Sequence, residues 1–277
     1  MQQPRLRTVG YQGGMRSYLA ELWSHREFAM TVPMGQLQAR NQDKVLGRAW
    51  YLLNPMILVG IYYLIFQVIL GIEERRGVED YLPFLTVGVI AYTYTRSTVQ
   101  FGSNSLVKSR RLVQSLSFPR TILPLGSAIA QTATYLWATG AMLGLVLLMG
   151  VRPGWSWLLL APALVVHGMM NLGLALFAAR FTFHFADFSN LLPFLLRLGL
   201  YVSGVLIPIN ADLIPNDALR WTLQINPIYN VLEMTRQSVL GTPLVARTWL
   251  LGTAWAVLLL AGGFAYFRRV EDRYSSV

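Results

Sequence analysis

Apolar stretches of about 20 residues or longer occur six times in this chain, and runs of that length leave few folds open. A helix of about 20 mostly apolar residues crosses the roughly 30 Å hydrocarbon core of a bilayer. Only 13% of the 277 residues are charged, compared with roughly 25% in a soluble domain. We therefore predict an all-α integral membrane protein with six transmembrane helices. The predicted spans are Trp50–Leu70, Tyr81–Phe101, Thr121–Met149, Trp155–Phe181, Leu191–Ile209 and Trp249–Phe267.

Two further segments have helical apolar spacing but cannot span. Met15–Gln38 is interrupted by polar residues and by Pro33, and we interpret it as an interfacial helix on the cytoplasmic leaflet. A solvent-side helix packed on the protein is the alternative. Asn210–Arg247 has no apolar run long enough to cross, because residues such as Asp217 and Glu233 interrupt it. It is predicted to form one or two short interfacial helices before the last span.

The distribution of positive charge predicts the orientation. An even number of spans puts both termini on one side, and that side carries fifteen Lys and Arg residues against six on the other. We therefore expect a multi-pass protein of the cytoplasmic (inner) membrane with both termini in the cytoplasm. The net charge of +10 then indicates contact with anionic membrane lipids, and no nucleic-acid partner is expected. The expected divisions are a cytoplasmic N-terminus (1–49), a membrane domain (50–267) and a cytoplasmic tail (268–277).

Side chains for chemistry are scarce. The chain has no Cys, its three His residues lie far apart, and the spans contain no carboxylate, so we predict no metal site and no catalytic residue. Gly102–Ser109 is not a phosphate-binding loop, because Val107 stands where such a loop needs glycine. His167 and Asn171, one helical turn apart, are expected to hydrogen-bond between helices. The sequence thus predicts a non-enzymatic protein without a cofactor of its own.

Several polar and aromatic side chains lie within the predicted spans. Arg96 and Arg197 should lie near the cytoplasmic surface, where they either snorkel to the headgroups or line a polar vestibule. Tyrosines at depth need a partner or a wet cavity, and their rings and hydroxyls suit contact with a sugar chain. Packing between helices is the alternative. The candidates for lining a channel are Tyr62, Tyr63, Phe66, Tyr92, Tyr94 and Tyr201.

Four ordered motifs resemble a known family. The region before the first span, Lys44–Pro55, reads KVLGRAWYLLNP, and Leu116–Leu125 reads LSFPRTILPL. Tyr201–Pro208 reads YVSGVLIP, and Asn226-Pro227 precedes the last span. Together they resemble the membrane subunit of ABC-2 type exporters of O-antigen, teichoic acid and capsule-like polysaccharides. One departure lies upstream, where Arg26–Pro33 is more apolar than the basic segment common in that family.

The resemblance implies a homodimer that works with two copies of a separate cytoplasmic ABC ATPase. ATP and Mg²⁺ would belong to that partner, and the cargo would be a lipid-linked glycan. A short rigid segment at about 102–120 would transmit motion from the ATPase, with an ordinary basic loop as the alternative reading. The expected contact residues are Arg110, Arg111, Leu116, Ser117, Phe118, Pro119 and Arg120.

An exporter of this kind would need a cytoplasmic entrance and an outer closure. A basic vestibule would attract the pyrophosphate of the lipid carrier. Its candidate residues are Arg26, Arg48, Arg96, Arg180 and Arg197. The segment 210–247 would cap the outer end. Rival functions are an ABC-2 exporter of a small lipid or drug, a membrane-embedded transferase acting on lipid-linked sugars, and a membrane scaffold.

Overall fold

The computed structural model describes residues 15–24, 27, 31, 34–35, 47–71, 80–109 and 119–269. Within these residues the chain forms nine α-helices and no strand, as the all-α prediction requires. Helix α2 continues into a π-helical stretch, Leu64–Ile69, and a 3₁₀ turn, Trp155–Leu159, leads into α5. The helices are α1 (Met15–Ser24), α2 (Trp50–Tyr63), α3 (Tyr81–Lys108), α4 (Ile122–Leu148), α5 (Leu160–His184), α6 (Phe188–Val202), α7 (Asp217–Ile225), α8 (Pro227–Leu240) and α9 (Ala246–Arg268).

Three helical stretches are long and apolar enough to cross a membrane: Ile122–Leu148, Trp155–His184 and Ala246–Arg268. They coincide with three of the six predicted spans. Leu53–Ile69 and Phe188–Val202 are apolar but shorter. Helix α3 has 28 residues, yet its mean hydropathy is lowered by polar side chains, many of them buried threonines and serines. Length and composition thus identify three helices that could cross a membrane. The other three predicted spans do not meet these criteria and stay predictions.

The fifth predicted span, Leu191–Ile209, is helical only as far as Val202, so a helix over its last seven residues is a wrong prediction. Helix α6 ends at Val202, and the chain continues through turns and bends to residue 209. Gly204 has φ +64°, a left-handed conformation that ends an α-helix, and Pro208 cannot continue one. At about 1.5 Å per residue, the 15 residues of α6 extend only about 22 Å. The apolar pattern continued to residue 209, but the helix does not.

The segment before the last span contains two short helices, as predicted. Asn216 caps α7, its side chain accepting from the Leu219 N–H at 3.0 Å, and Asn226 caps α8, accepting from the Ile228 N–H at 2.9 Å. Gly241, with φ +69°, ends α8. Helix α7 is largely exposed, whereas α8 has most of its side chains buried. Helix α8 is therefore a core element, which differs from the interfacial position expected for the whole segment.

Close backbone contact joins α5 to its neighbours. Helix α5 packs against both α3 and α9. A Cβ atom on Gly173 of α5 would lie 2.4 Å from the carbonyl carbon of Leu259 in α9, and one on Gly263 would lie 2.6 Å from the Gly173 carbonyl oxygen. Only glycine allows the two backbones to approach this closely. The long helices α3, α5 and α9 thus pack together, with α5 between the other two.

Candidate functional site

Two arginines and a tyrosine from neighbouring helices lie within electrostatic range of the half-buried Tyr62. Arg96 of α3 and Arg197 of α6 are both exposed, and both act electrostatically on the hydroxyl of Tyr62 in α2. The hydroxyl of Tyr201, a residue that is 59% exposed, is also within electrostatic range of Tyr62. We name Tyr62, Arg96, Arg197 and Tyr201 the basic–aromatic face. It combines cationic groups with aromatic rings and hydroxyls inside otherwise apolar helices.

The sequence of α6 explains its half of this face. Leu192, Leu196 and Leu200 recur every four residues and are buried against the protein. Arg197 and Tyr201, also four residues apart, lie on a different side of the helix and are exposed. The leucine ridge therefore fixes the rotation of the helix, and that rotation turns the arginine and the tyrosine outward.

The other predicted channel-lining residues have partners inside this chain. The Tyr92 hydroxyl donates to the backbone carbonyl of Leu196. The Tyr94 ring stacks on that of Tyr135 with centroids 4.3 Å apart, and its hydroxyl lies 2.7 Å from Thr132 Oγ1. These are the contacts that the helix-packing alternative requires, and a lining role for Tyr92 and Tyr94 stays a prediction. The half-buried Tyr63 and Phe66 pack against the same apolar core.

The five predicted entrance arginines are distributed over separate places. Arg96 and Arg197 share the basic–aromatic face. The guanidinium of Arg180 instead donates to the Tyr266 carbonyl and lies 3.5 Å from the centroid of the Tyr266 ring, so it joins α5 to α9. Arg26 and the side chain of Arg48 lie outside the described residues. The structure thus assembles two members of the set and gives Arg180 a packing contact.

The predicted coupling segment is described only at its two ends. Five of its contact candidates lie outside the described residues: Arg110, Arg111, Leu116, Ser117 and Phe118. Pro119 is buried, and Arg120 is only 5% exposed. Within this single chain, neither side chain is accessible to a partner subunit. The next residue, Thr121, has its Oγ1 2.6 Å from the hydroxyl of the buried Tyr18. This contact attaches helix α1 to the residue that precedes α4, directly after the segment.

A buried arginine holds the chain where α6 ends. Arg236 of α8 is 2% exposed; its Nη1 donates to the Gly204 carbonyl at 2.8 Å and its Nη2 to the Val205 carbonyl at 3.0 Å. Its guanidinium lies 3.5 Å from the Phe84 ring centroid, and Nη1 is 3.6 Å from a Glu233 carboxylate oxygen. Arg236 is one of the six basic residues that the charge count placed on the outer side, and it follows Asn226-Pro227 in the last of the motifs that carry the family resemblance. Neither signal predicts that it is buried.

Side chains from α3, α7 and the cap of α8 bind further groups of this non-helical stretch. The Tyr81 hydroxyl donates to the Leu206 carbonyl at 2.8 Å, and Gln224 Nε2 donates to the Ile209 carbonyl at 3.1 Å. Asn226 Nδ2 donates to Ser203 Oγ at 3.0 Å. Irregular backbone at membrane depth is tolerated only where protein groups or water replace the missing helical hydrogen bonds. We name residues 203–209 the clamped turn, because Arg236 and these side chains hold it.

The electrostatics of the clamp keep the arginine charged. Burial lowers the pKa of Arg236, while the Glu233 carboxylate opposes that shift. Because the ordinary value for arginine is above 12, the group stays protonated and keeps donating to the carbonyls.

Among the described residues, no three His, Asp or Glu side chains lie close enough together to hold a metal ion. His167 Nε2 lies 2.7 Å from Thr95 Oγ1, so the interhelix hydrogen bond predicted for His167 is present. The prediction for Asn171 is not met, because its buried amide atoms have no hydrogen-bond partner among the described residues.

Comparison with known proteins places this arrangement in a family. The family model "ABC-2 type transporter" matches residues 30–240. An "O-antigen export system permease protein RfbA" of Klebsiella pneumoniae is 21% identical over 246 residues, covering 87% of this chain and 91% of the relative. A protein of the same name from Myxococcus xanthus is 24% identical over 213 residues, covering 76% of this chain and 80% of the relative. The family match includes the basic–aromatic face and the clamped turn.

Proposed function

Because the chain belongs to the ABC-2 type transporter family, we propose that it is the membrane-spanning subunit of an ATP-driven exporter of a lipid-linked cell-surface polysaccharide. The names of the relatives, which are O-antigen export permeases, support this cargo class. The chain supplies the route through the membrane, and a separate ABC ATPase binds and hydrolyses ATP with Mg²⁺. Two copies of the chain and two of the ATPase form the transporter.

The basic–aromatic face is the observation that carries the proposal. Charged side chains are costly in lipid, so Arg96 and Arg197 are expected to face a polar cavity or a second copy of the chain. Guanidinium groups bind phosphate oxygens with charge-assisted hydrogen bonds, which suits the pyrophosphate of a lipid carrier. The adjacent rings and hydroxyls of Tyr62 and Tyr201 suit sugar units that pass after it. The basic–aromatic face thus offers arginines for the pyrophosphate and tyrosines for the sugar units of a lipid-linked glycan.

We further propose that six segments cross the cytoplasmic membrane with both termini inside the cell. In the fifth crossing, α6 is completed by the clamped turn rather than by helix. The polar contacts that hold this turn make such an irregular crossing possible. The two short helices that follow, within 210–247, would close the outer end of the route.

Motion from the ATPase would enter through the segment 102–120 and helix α1. The hydrogen bond between Tyr18 and Thr121 supports this role for α1, because it joins the helix to the residue that follows the segment. The buried Arg120 would then hold the end of the segment, and contact with the ATPase would fall to the residues before Pro119. ATP binding and hydrolysis would shift the dimer between two conformations.

The proposal is tested by co-expressing the tagged chain with the ABC ATPase encoded beside it in its source genome. We expect the two to co-purify in mild detergent and to hydrolyse ATP, and Phe118→Ala to reduce both results. Deletion of the gene should remove polysaccharide from the cell surface and leave lipid-linked glycan inside. A chain that purifies without any ATPase would contradict the proposal. Normal surface polysaccharide with loss of lipid or drug efflux would instead indicate a small-molecule ABC-2 exporter.

A further inference from the structure

A cavity of about 130 Å³ lies between α7, α8 and the start of α9, and its lining includes no residue of the basic–aromatic face. Most of the residues that line it are polar, among them Gln224, Tyr229, Glu233, Gln237 and Thr248. The cavity is far smaller than the roughly 300–1,000 Å³ of pockets for drug-sized ligands. At roughly 30 Å³ per molecule of liquid water, it still has room for several waters. Its size suits one ring-sized polar group.

The wall offers both donors and acceptors. Burial and the neighbouring Glu233 carboxylate raise the pKa of Tyr229 to about 12, so its hydroxyl stays protonated and can donate. The Glu233 carboxylate can accept, and a hydroxyl such as that of Thr248 can both donate and accept. Arg247 also lines the cavity, with its guanidinium 3.5 Å from the centroid of the Trp221 ring. Such a mixture complements a ring that carries several hydroxyl groups.

Intrachain hydrogen bonds fix this wall in position. Gln237 is 1% exposed, and its Oε1 accepts from Trp249 Nε1 at 3.0 Å and from the Val245 N–H at 3.3 Å. Asn230 Nδ2 donates to the carbonyl of Gln224 at 2.9 Å. A binding site whose side chains are already ordered loses little entropy when it is filled. The cavity therefore has the organisation of a recognition site.

The cavity shares a residue with the clamp of α6. Glu233 lines the cavity and forms an ion pair with Arg236, which in turn holds the carbonyls of Gly204 and Val205. Those residues directly follow the helix that carries Arg197. A ligand that contacts Glu233 in the cavity is therefore connected, through the ion pair with Arg236, to the clamped turn.

We propose that this cavity binds one sugar unit of the exported polysaccharide through its hydroxyl groups. The identity of the sugar chain and the outward position of the cavity rest on the proposed function. The polar wall and the ring-sized volume are independent of it. A sugar unit held here would keep the emerging chain beside the closure formed by α7 and α8.

The test uses two neighbouring substitutions in the full transporter with its ATPase, reconstituted in nanodiscs. Val245 lines the cavity and is 48% exposed, so Val245→Trp should fill it without removing a buried contact. Leu244 is 58% exposed and lies outside the lining, so Leu244→Trp is the matched control. Saturation-transfer NMR would measure binding of glucose, galactose, mannose and N-acetylglucosamine, with inorganic phosphate as a competitor.

We expect at least one of these sugars to bind to the parent protein and to Leu244→Trp. Val245→Trp should weaken that binding by roughly tenfold or more, as expected when a ring is sterically excluded. Equal binding to all three proteins, or no binding to any, overturns the proposal. Displacement of the sugar by phosphate would mean that the cavity recognises an anion, and also overturns it.

The two proposals fail separately. If the chain neither binds an ATPase nor supports surface polysaccharide, the proposed function is wrong, whatever the NMR signal. If export and ATP hydrolysis are normal in the parent but Val245→Trp leaves sugar binding unchanged, only the cavity proposal is wrong.

Discussion

At Arg236 one side chain replaces hydrogen bonds that a helix would otherwise make. Its two terminal nitrogens donate to two consecutive carbonyls, and a planar fork of donors is a property of arginine alone. Gly88 makes room for it, since a Cβ there would lie 2.3 Å from Nη2. Buried carbonyls without a partner cost free energy, so the irregular end of α6 depends on this residue.

Loss of the guanidinium should therefore destabilise the protein. We expect Arg236→Met to lower the free energy of unfolding by about 2–5 kcal/mol, because buried carbonyls and the Glu233 carboxylate lose their partner. Arg236→Lys should recover part of that loss, since an ammonium restores the charge but not the fork. Thermal unfolding in detergent measures both. Arg220→Met, which removes a partner of the exposed Asp217, is the control and should change the unfolding temperature little. Equal unfolding temperatures for Arg236→Met and the control would contradict this role.

The two exposed arginines should act on transport and not on stability. If the two arginines bind the pyrophosphate as proposed, the double substitution Arg96→Glu and Arg197→Glu should reduce export by about tenfold or more, because charge-assisted contacts would be replaced by repulsion. Surface polysaccharide, normalised to the amount of transporter in the membrane, measures the effect. Arg152→Glu, at an exposed position between α4 and α5, is the control and should leave export normal. Normal export in the double variant would favour simple snorkelling of the two side chains.

Among the elements, helix α6 shows where sequence patterns stop being sufficient. The leucine spacing in α6 predicts which side is buried, and therefore that Arg197 and Tyr201 face away from the core. The apolar pattern also continues to Ile209, and it cannot reveal that side chains from α3, α7 and α8 satisfy a non-helical backbone there. Those hydrogen bonds are tertiary contacts, so they follow from the assembled fold and not from local spacing.

Glycine spacing gives a second example and a test. Gly140 and Gly144 of α4 have the small-residue spacing typical of close helix pairs, yet a Cβ on either would meet nothing within 4 Å in this chain. The close approach occurs instead at Gly173. We expect Gly173→Ala to destabilise the protein by about 1–3 kcal/mol, since its methyl group would overlap the backbone of α9. Gly140→Ala should cause no such loss in the unfolding temperature. Tolerance of both changes would mean that α5 and α9 are not in close backbone contact.

For the whole molecule, composition and charge predict the class of protein, but they do not predict which charged residues are buried. Six apolar stretches predicted an all-α membrane protein, and three of them are helices long enough to cross directly. The count of positive charges treats Arg236 as one more loop charge, although it is buried in the core. A charge count cannot separate these cases, because burial is decided by contacts between distant segments. The exposed pair of arginines, by contrast, was identified from position alone.

Coupling across the molecule can be tested at the hydrogen bond between Tyr18 and Thr121. Tyr18→Phe removes one hydroxyl and keeps the ring that packs against Phe264. We expect it to weaken the attachment of α1 by about 1 kcal/mol and to lower the amount of polysaccharide exported per ATP hydrolysed. Thr121→Val should have the same effect, and the double variant should be no worse than either, because both remove one interaction.

The control for this experiment removes the same atom elsewhere. Tyr266→Phe deletes a hydroxyl from α9, but the contacts of Tyr266 with Arg180 use its ring and its backbone carbonyl, so export per ATP should stay normal. Normal coupling in Tyr18→Phe and Thr121→Val would mean that α1 does not transmit motion to the membrane domain through this contact. Additive losses in the double variant would mean that the two hydroxyls act separately. A shared loss, absent from Tyr266→Phe, would connect helix α1 to the proposed coupling segment through one hydrogen bond.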